Sequence, residues 1–192
     1  RVWASLEKEP PEVLEEAFRE GKQRDPREDK TWVGLLDGNQ PQIDALSALA
    51  VQYGVVLTVI LDIMHVVEYL WKAGLVFHRE GTTELQEWVS ERLLQILRGR
   101  AVHVAAGMRR SATLQKFRRQ KRKPVDRCAS YILNHQQYMR YDDYLAAGLP
   151  IATGVIEGAC RHLVKDRMDI TGARWGLDGG EAAAAGGGRE GA

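Results

Sequence analysis

The stretch from Trp32 to His65, WVGLLDGNQPQIDALSALAVQYGVVLTVILDIMH, decides how this chain folds. Trp32 to Leu36 is apolar throughout and stops at Asp37-Gly38-Asn39, a turn signal, which is how a buried strand ends. Ile43 to Tyr53 then places Ile43, Leu46, Leu49 and Ala50 at helical spacing. Val55 to Leu61, broken only by Thr58, predicts a central strand covered on both faces. Strand, helix and strand in succession predict an α/β layer architecture.

Upstream, Val2 to Leu6 is a strand candidate, and Pro10-Pro11 opens a helix with Val13, Leu14, Ala17 and Phe18 as its stripe, closed by Arg24-Asp25-Pro26. Downstream, from Ile63 to Tyr144, every segment has helical period. Val67, Leu70, Trp71, Gly74 and Leu75 form one expected stripe; Leu85, Trp88, Val89, Leu93, Ile96 and Leu97 form another. After Gly148-Leu149-Pro150, a helix from Thr153 to Met168 sets Ile156, Cys160 and Leu163 on one face and Glu157, Arg161 and Lys165 on another. The last 14 residues, GGEAAAAGGGREGA, include 11 Gly or Ala and are expected to stay disordered. The chain thus divides into an α/β core (1–62), an all-helical insertion (63–147), a helix bearing Glu157 (148–177) and a tail (178–192).

With 192 residues, 44% apolar and 28% charged, the chain suits a single globular domain. It has neither an apolar run near the roughly 20 residues of a membrane span nor an opening signal segment, so a soluble, cytoplasmic protein is expected. Cys128 and Cys160 lack metal-type spacing and read as free thiols. The net charge of +1 conceals an asymmetry: Ser5 to Lys30 holds nine acidic and six basic residues, whereas Arg109 to Lys123 holds eight basic and no acidic ones. Such a block either meets phosphates or is a solvated face.

Three acids carry the candidate chemistry. Asp37 ends a strand, where open α/β sheets place ligands, although an Asp-Gly dipeptide is also an ordinary turn. Asp62 and His65 stand three apart at a helix start, which also suits a cap and a packed histidine. Glu157 is flanked by Gly154, Gly158 and Ala159, small enough to permit close approach. A few carboxylates bind hard divalent cations, and paired ions about 3.5 to 4 Å apart drive phosphoryl transfer. Arg161, Lys165, Arg167 and Arg174 would then meet phosphates.

The strings WVGLLDGN, VILDIMHVVEYLWKAG and YLAAGLPIATGVIEGACRHLVKDRMDITGARW resemble transposases of the ISKra type of bacterial insertion sequence, over about Val2 to Leu177. The resemblance implies a partial ribonuclease-H-like α/β fold, a short mixed sheet with flanking helices interrupted by a large all-helical insertion. It further implies an Asp, Asp, Glu triad with Mg²⁺ or Mn²⁺, DNA as transposon end and target, and a homo-oligomer. Related families follow the second acid, some 25 residues on, with a Cys-or-Asp, two residues, then His signature. Asp37 is then the second acid, Asp62 and His65 the signature, and Glu157 the third acid. A competing scheme makes Asp37 the first acid and Asp62 the second, but it requires two further strands between them. The preferred scheme puts the first acid before Arg1, so the chain is expected to be an inactive fragment, and a frameshift, a decayed copy or a sequencing error would explain its departure from the family after Gly176. Trp175 would stack on a base or pack. Two rivals stay open: a recombination or repair nuclease on the same fold, and a non-catalytic nucleic-acid-binding module using Arg109 to Lys123.

Overall fold

The structure, a computed structural model, describes residues 10–152. Helix α1 (Pro10–Arg24) opens on its two prolines and ends with Lys22 and Arg24 in its last turn, where cations complement the helix dipole. It lies so close to strand β1 (Trp32–Leu36) that a Cβ at Gly21 would run into the Trp32 ring. The loop between them is pinned by Asp25, a buried carboxylate accepting from Trp32 Nε1 at 2.9 Å and from the Asp29 amide at 3.1 Å.

Helix α2 (Gln40–Gln52) begins three residues before the expected Ile43, because Asn39 caps it through the Gln42 amide and Pro41 fits its first turn. Its buried residues are Ile43, Leu46, Leu49 and Ala50, the predicted set. Strand β2 (Leu57–Leu61) pairs with β1 in parallel, Trp32 beside Leu57 through Leu36 beside Leu61. Phe18, Leu46, Leu49 and Ala50, with Leu14, Trp32, Leu36, Tyr53 and Leu57 against them, make the core under α1 and α2. Fully burying a Phe or Leu side chain stabilises by about 1.5–3 kcal/mol each.

Two expectations for this part need correction. The second strand starts at Leu57 rather than Val55, since the Val55 amide is used by the Ala50 carbonyl and Val56 is 91% exposed. Nor is it covered along its length: Leu57 to Val59 are half-buried, and only Ile60 and Leu61 are buried. Among the described residues the sheet is one parallel pair, without the antiparallel strand that a mixed sheet would add. The strand expected at Val2 to Leu6, the helix from Thr153 and the Gly/Ala-rich tail lie outside the described residues.

Beyond β2 every element is helical, as the periodicity predicts: α3 (Ile63–Gly74), α4 (Thr83–Leu97), α5 (Ala101–Leu114), α6 (Arg119–His135), a 3-10 turn (Gln136–Tyr138) and α7 (Tyr141–Ala146). In α4 the expected Leu85, Trp88, Val89, Leu93 and Ile96 are buried, and Leu97 is half-buried. In α3 the stripe is rotated. Ile63, Val66, Leu70, Ala73 and Gly74 are buried, while Val67 and Trp71 are half-buried and Leu75 is exposed. That helix is apolar around most of its circumference, so its packing against α4 and α6, not its own pattern, selects the inner face. Helix α6 also packs along α5 and carries its C-terminal end back to the strands.

Candidate functional site at the strand ends

Register alone brings two of the predicted residues together. Because Leu36 pairs with Leu61, Asp37 and Asp62 follow their strands at the same height, with backbones one strand spacing of about 4.8 Å apart. The Asp62 amide donates to the Leu36 carbonyl at 2.7 Å, extending the ladder by one bond. By the alternation of side chains, both acids share the parity of Val33, Leu35, Thr58 and Ile60, opposite the face that packs on α1 and α2.

The two carboxylates differ in surroundings. Asp37 is exposed, and its Oδ1 accepts from the Asn39 amide at 2.8 Å, closing a small turn. Asp62 is 2% exposed and caps α3, its Oδ1 accepting from the Met64 amide at 2.9 Å. The turn and cap roles are therefore both filled. His65, half-buried in the first turn of α3, donates its backbone amide to the Asp62 carbonyl.

Residues that the sequence reading missed complete the site. Tyr131 and His135 stand one turn apart on α6. The Tyr131 hydroxyl donates to the Asp37 carbonyl at 2.7 Å, and His135 Nε2 lies 3.0 Å from the Gly38 carbonyl. His135 Nδ1 is also 2.8 Å from the Tyr131 carbonyl. A neutral imidazole can donate to only one of these two carbonyls. Gly38 has φ +90°, which favours glycine, and a Cβ there would stand 3.0 Å from His135 Nε2, close enough that the ring would have to shift. Tyr141 is fully buried and donates to the Leu61 carbonyl at 2.8 Å. Side chains from α6 and α7 thus hold the carbonyls of Asp37, Gly38 and Leu61, beside the two acids.

The electrostatics follow from this packing. Burial pushes the Tyr131 phenol above its ordinary range, and Tyr69, stacked on it with ring centres 4.0 Å apart, and the carboxylates of Asp37, Asp62 and Glu68 push it further. Burial raises Tyr141 likewise, with Tyr131 and Asp62 adding to it. Both phenols therefore stay protonated near neutral pH and act as donors. Glu68 is partly balanced by Lys72 at 3.6 Å.

The remaining predicted residues, Glu157, Arg161, Lys165, Arg167, Arg174 and Trp175, lie outside the described residues. So does Cys160. Cys128 is a buried free thiol on α6, away from any charge that would activate it, and burial pushes it up to about 12. Among the described residues no group of three His, Cys, Asp or Glu is arranged to hold a metal ion. The Ile63 amide donates to the Ile151 carbonyl at 2.9 Å, so the segment leading toward Glu157 passes the strand ends next to Asp62. No helix among the described residues is long and apolar enough to cross a membrane. No family model, no curated protein and no solved structure matches the chain.

Proposed function

We propose that this chain is part of a DNA transposase catalytic domain of ribonuclease-H-like design, in which Asp37 and Glu157 bind Mg²⁺ or Mn²⁺ for phosphodiester cleavage and strand transfer. The observation that carries the reading is the alignment of Asp37 and Asp62 at the carboxyl ends of adjacent parallel strands, joined by one helix. That arrangement suits an acid followed 25 residues later by an acid and a histidine. It does not suit the scheme with Asp37 and Asp62 as first and second acids, which needs two more strands where only α2 stands.

In this reading the protein's own groups have separate tasks. Asp37, exposed and with its Oδ1 shared with a backbone amide, offers its carboxylate to a metal ion. Asp62 and His65 fix the start of α3 beside it. Tyr131 and His135 position the Asp37-Gly38 backbone. When bound, the metal supplies charge that activates an attacking oxygen and stabilises the leaving one. The recombination nuclease reading shares these residues and differs only in lacking strand transfer.

Titration with Mn²⁺, followed by its electron paramagnetic resonance signal, tests the proposal. Binding that falls at least ~10-fold in both Asp37→Asn and Glu157→Gln supports it, as expected when one ligand of a site using only a few carboxylates is removed. Binding unchanged in both variants removes the site.

A further inference from the structure

The basic run from Arg109 to Lys123 occupies neither one helix face nor one loop. It spans the end of α5, the turn at 115–118 and the start of α6. The fold divides its eight cations into two classes. Arg122 is held by Asp126 at 3.0 Å and by Thr113 at 2.8 Å; Arg109 reaches Ser130 at 2.9 Å and Asp126 at 3.7 Å. Those two tie α5 to α6. Arg110, Lys116, Arg118, Arg119, Lys121 and Lys123 are exposed, and among the described residues none of them forms an ion pair.

The turn is also built at a cost. Helix α5 ends in a cap in which the Phe117 amide bonds the Ala112 carbonyl and the Lys116 amide bonds that of Thr113. This motif places the residue after the C-cap in the left-handed region, where glycine is favoured. Here that residue is Lys116, with φ +53°. The turn is nonetheless firmly seated: Phe117 packs on Phe77 with centroids 5.3 Å apart, and Lys121 lies 4.2 Å over the Phe117 ring. A strained lysine on a fixed turn thus stands amid five other exposed cations that form no ion pair among the described residues.

We infer that this tip is a binding site for the phosphate backbone of duplex DNA. Charge complementarity selects a polyanion. Phe117, the aromatic of the turn, is already covered by Phe77 and Lys121, so no ring is left for unstacked bases, which single-strand binding requires. Leu114 is the one large apolar side chain exposed there, too little for a membrane-seated face. The site is separate from the acids: Tyr131 lies twelve residues along α6 from Arg119, about 18 Å at the helical rise.

Fluorescence anisotropy with a labelled duplex, in EDTA so that metal binding at the acids plays no part, tests the site apart from the proposed activity. Wild type should bind with a strong inverse dependence on salt. Arg118→Glu/Arg119→Glu should weaken binding at least ~10-fold and flatten the salt slope by about one for each phosphate no longer neutralised. Lys116→Gly should weaken binding while raising Tm, a combination that a structural role for the lysine would not give. Arg27→Glu, a single charge reversal on an exposed residue of the α1–β1 loop, should cost much less than half of the loss in log affinity seen in the double tip variant. Half of that loss or more in Arg27→Glu, tip variants that bind as wild type, tighter binding to a single strand, or binding only to anionic phosphatidylserine vesicles would each overturn the inference.

Discussion

At Asp25 a single carboxylate organises the α1–β1 loop. The Trp32 Nε1 bond holds its pKa below the ordinary carboxylate range, with the Asp29 and Lys30 amides contributing and burial opposing. A depressed folded pKa gives stability that is fully present above the unfolded value, near 3.8, and is lost as pH falls through the folded one. Asp25→Asn should therefore lower Tm at pH 7 and shrink the difference in Tm between pH 7 and pH 3; equal pH slopes in the two proteins would refute this role. Tyr131→Phe removes the donor to the Asp37 carbonyl, an exposed bond, and should cost about 0.5–1.5 kcal/mol in denaturant unfolding. The Cys128 thiol should resist a thiol reagent in the native protein and react after unfolding, as mass spectrometry of the labelled peptide would show. Labelling of native Cys128 would mean that α6 opens locally.

Elements differ in how far their residues announce them. Both strand ends and the buried set of α2 were legible in the sequence, because Asp37-Gly38-Asn39 is a strong local stop and the apolar period of Ile43, Leu46 and Ala50 has one face. The inner face of α3 was not: Val66 and Val67, or Leu70 and Trp71, are equally apolar, and only the packing of α4 and α6 chooses between them. Asp37 and Asp62 were visible as candidates, but their shared height depends on the parallel register. Tyr131 and His135 carried no usable local sign beyond their one-turn spacing beside Cys128 and Ile132. Their partners at Asp37 and Gly38 lie 94 and 97 residues away in the chain. Their docking predicts a specific sensitivity at the turn. Gly38→Ala, strained at φ +90° and pressed on His135, should destabilise by about 1–3 kcal/mol. Loss of that magnitude in Gly38→Ala but not in Gly54→Ala would reflect the His135 contact, since nothing lies within 4 Å of a Cβ at Gly54 although its φ is also positive.

Across the described part of the molecule, α6 links two chemically opposite regions. Its C-terminal end clamps a turn beside two acids, and its N-terminal end carries unpaired cations. One helix would thus join the proposed phosphate-holding tip to the proposed metal-holding end. The account stands on Asp37 sharing a metal site with Glu157, and a crystal structure grown with Mn²⁺ tests that most directly through the anomalous signal of the ion. The account predicts a manganese peak with carboxylate oxygens of both Asp37 and Glu157 about 2.0–2.3 Å away, beside Asp62. Manganese bound elsewhere, or the two carboxylates more than about 10 Å apart, would contradict it.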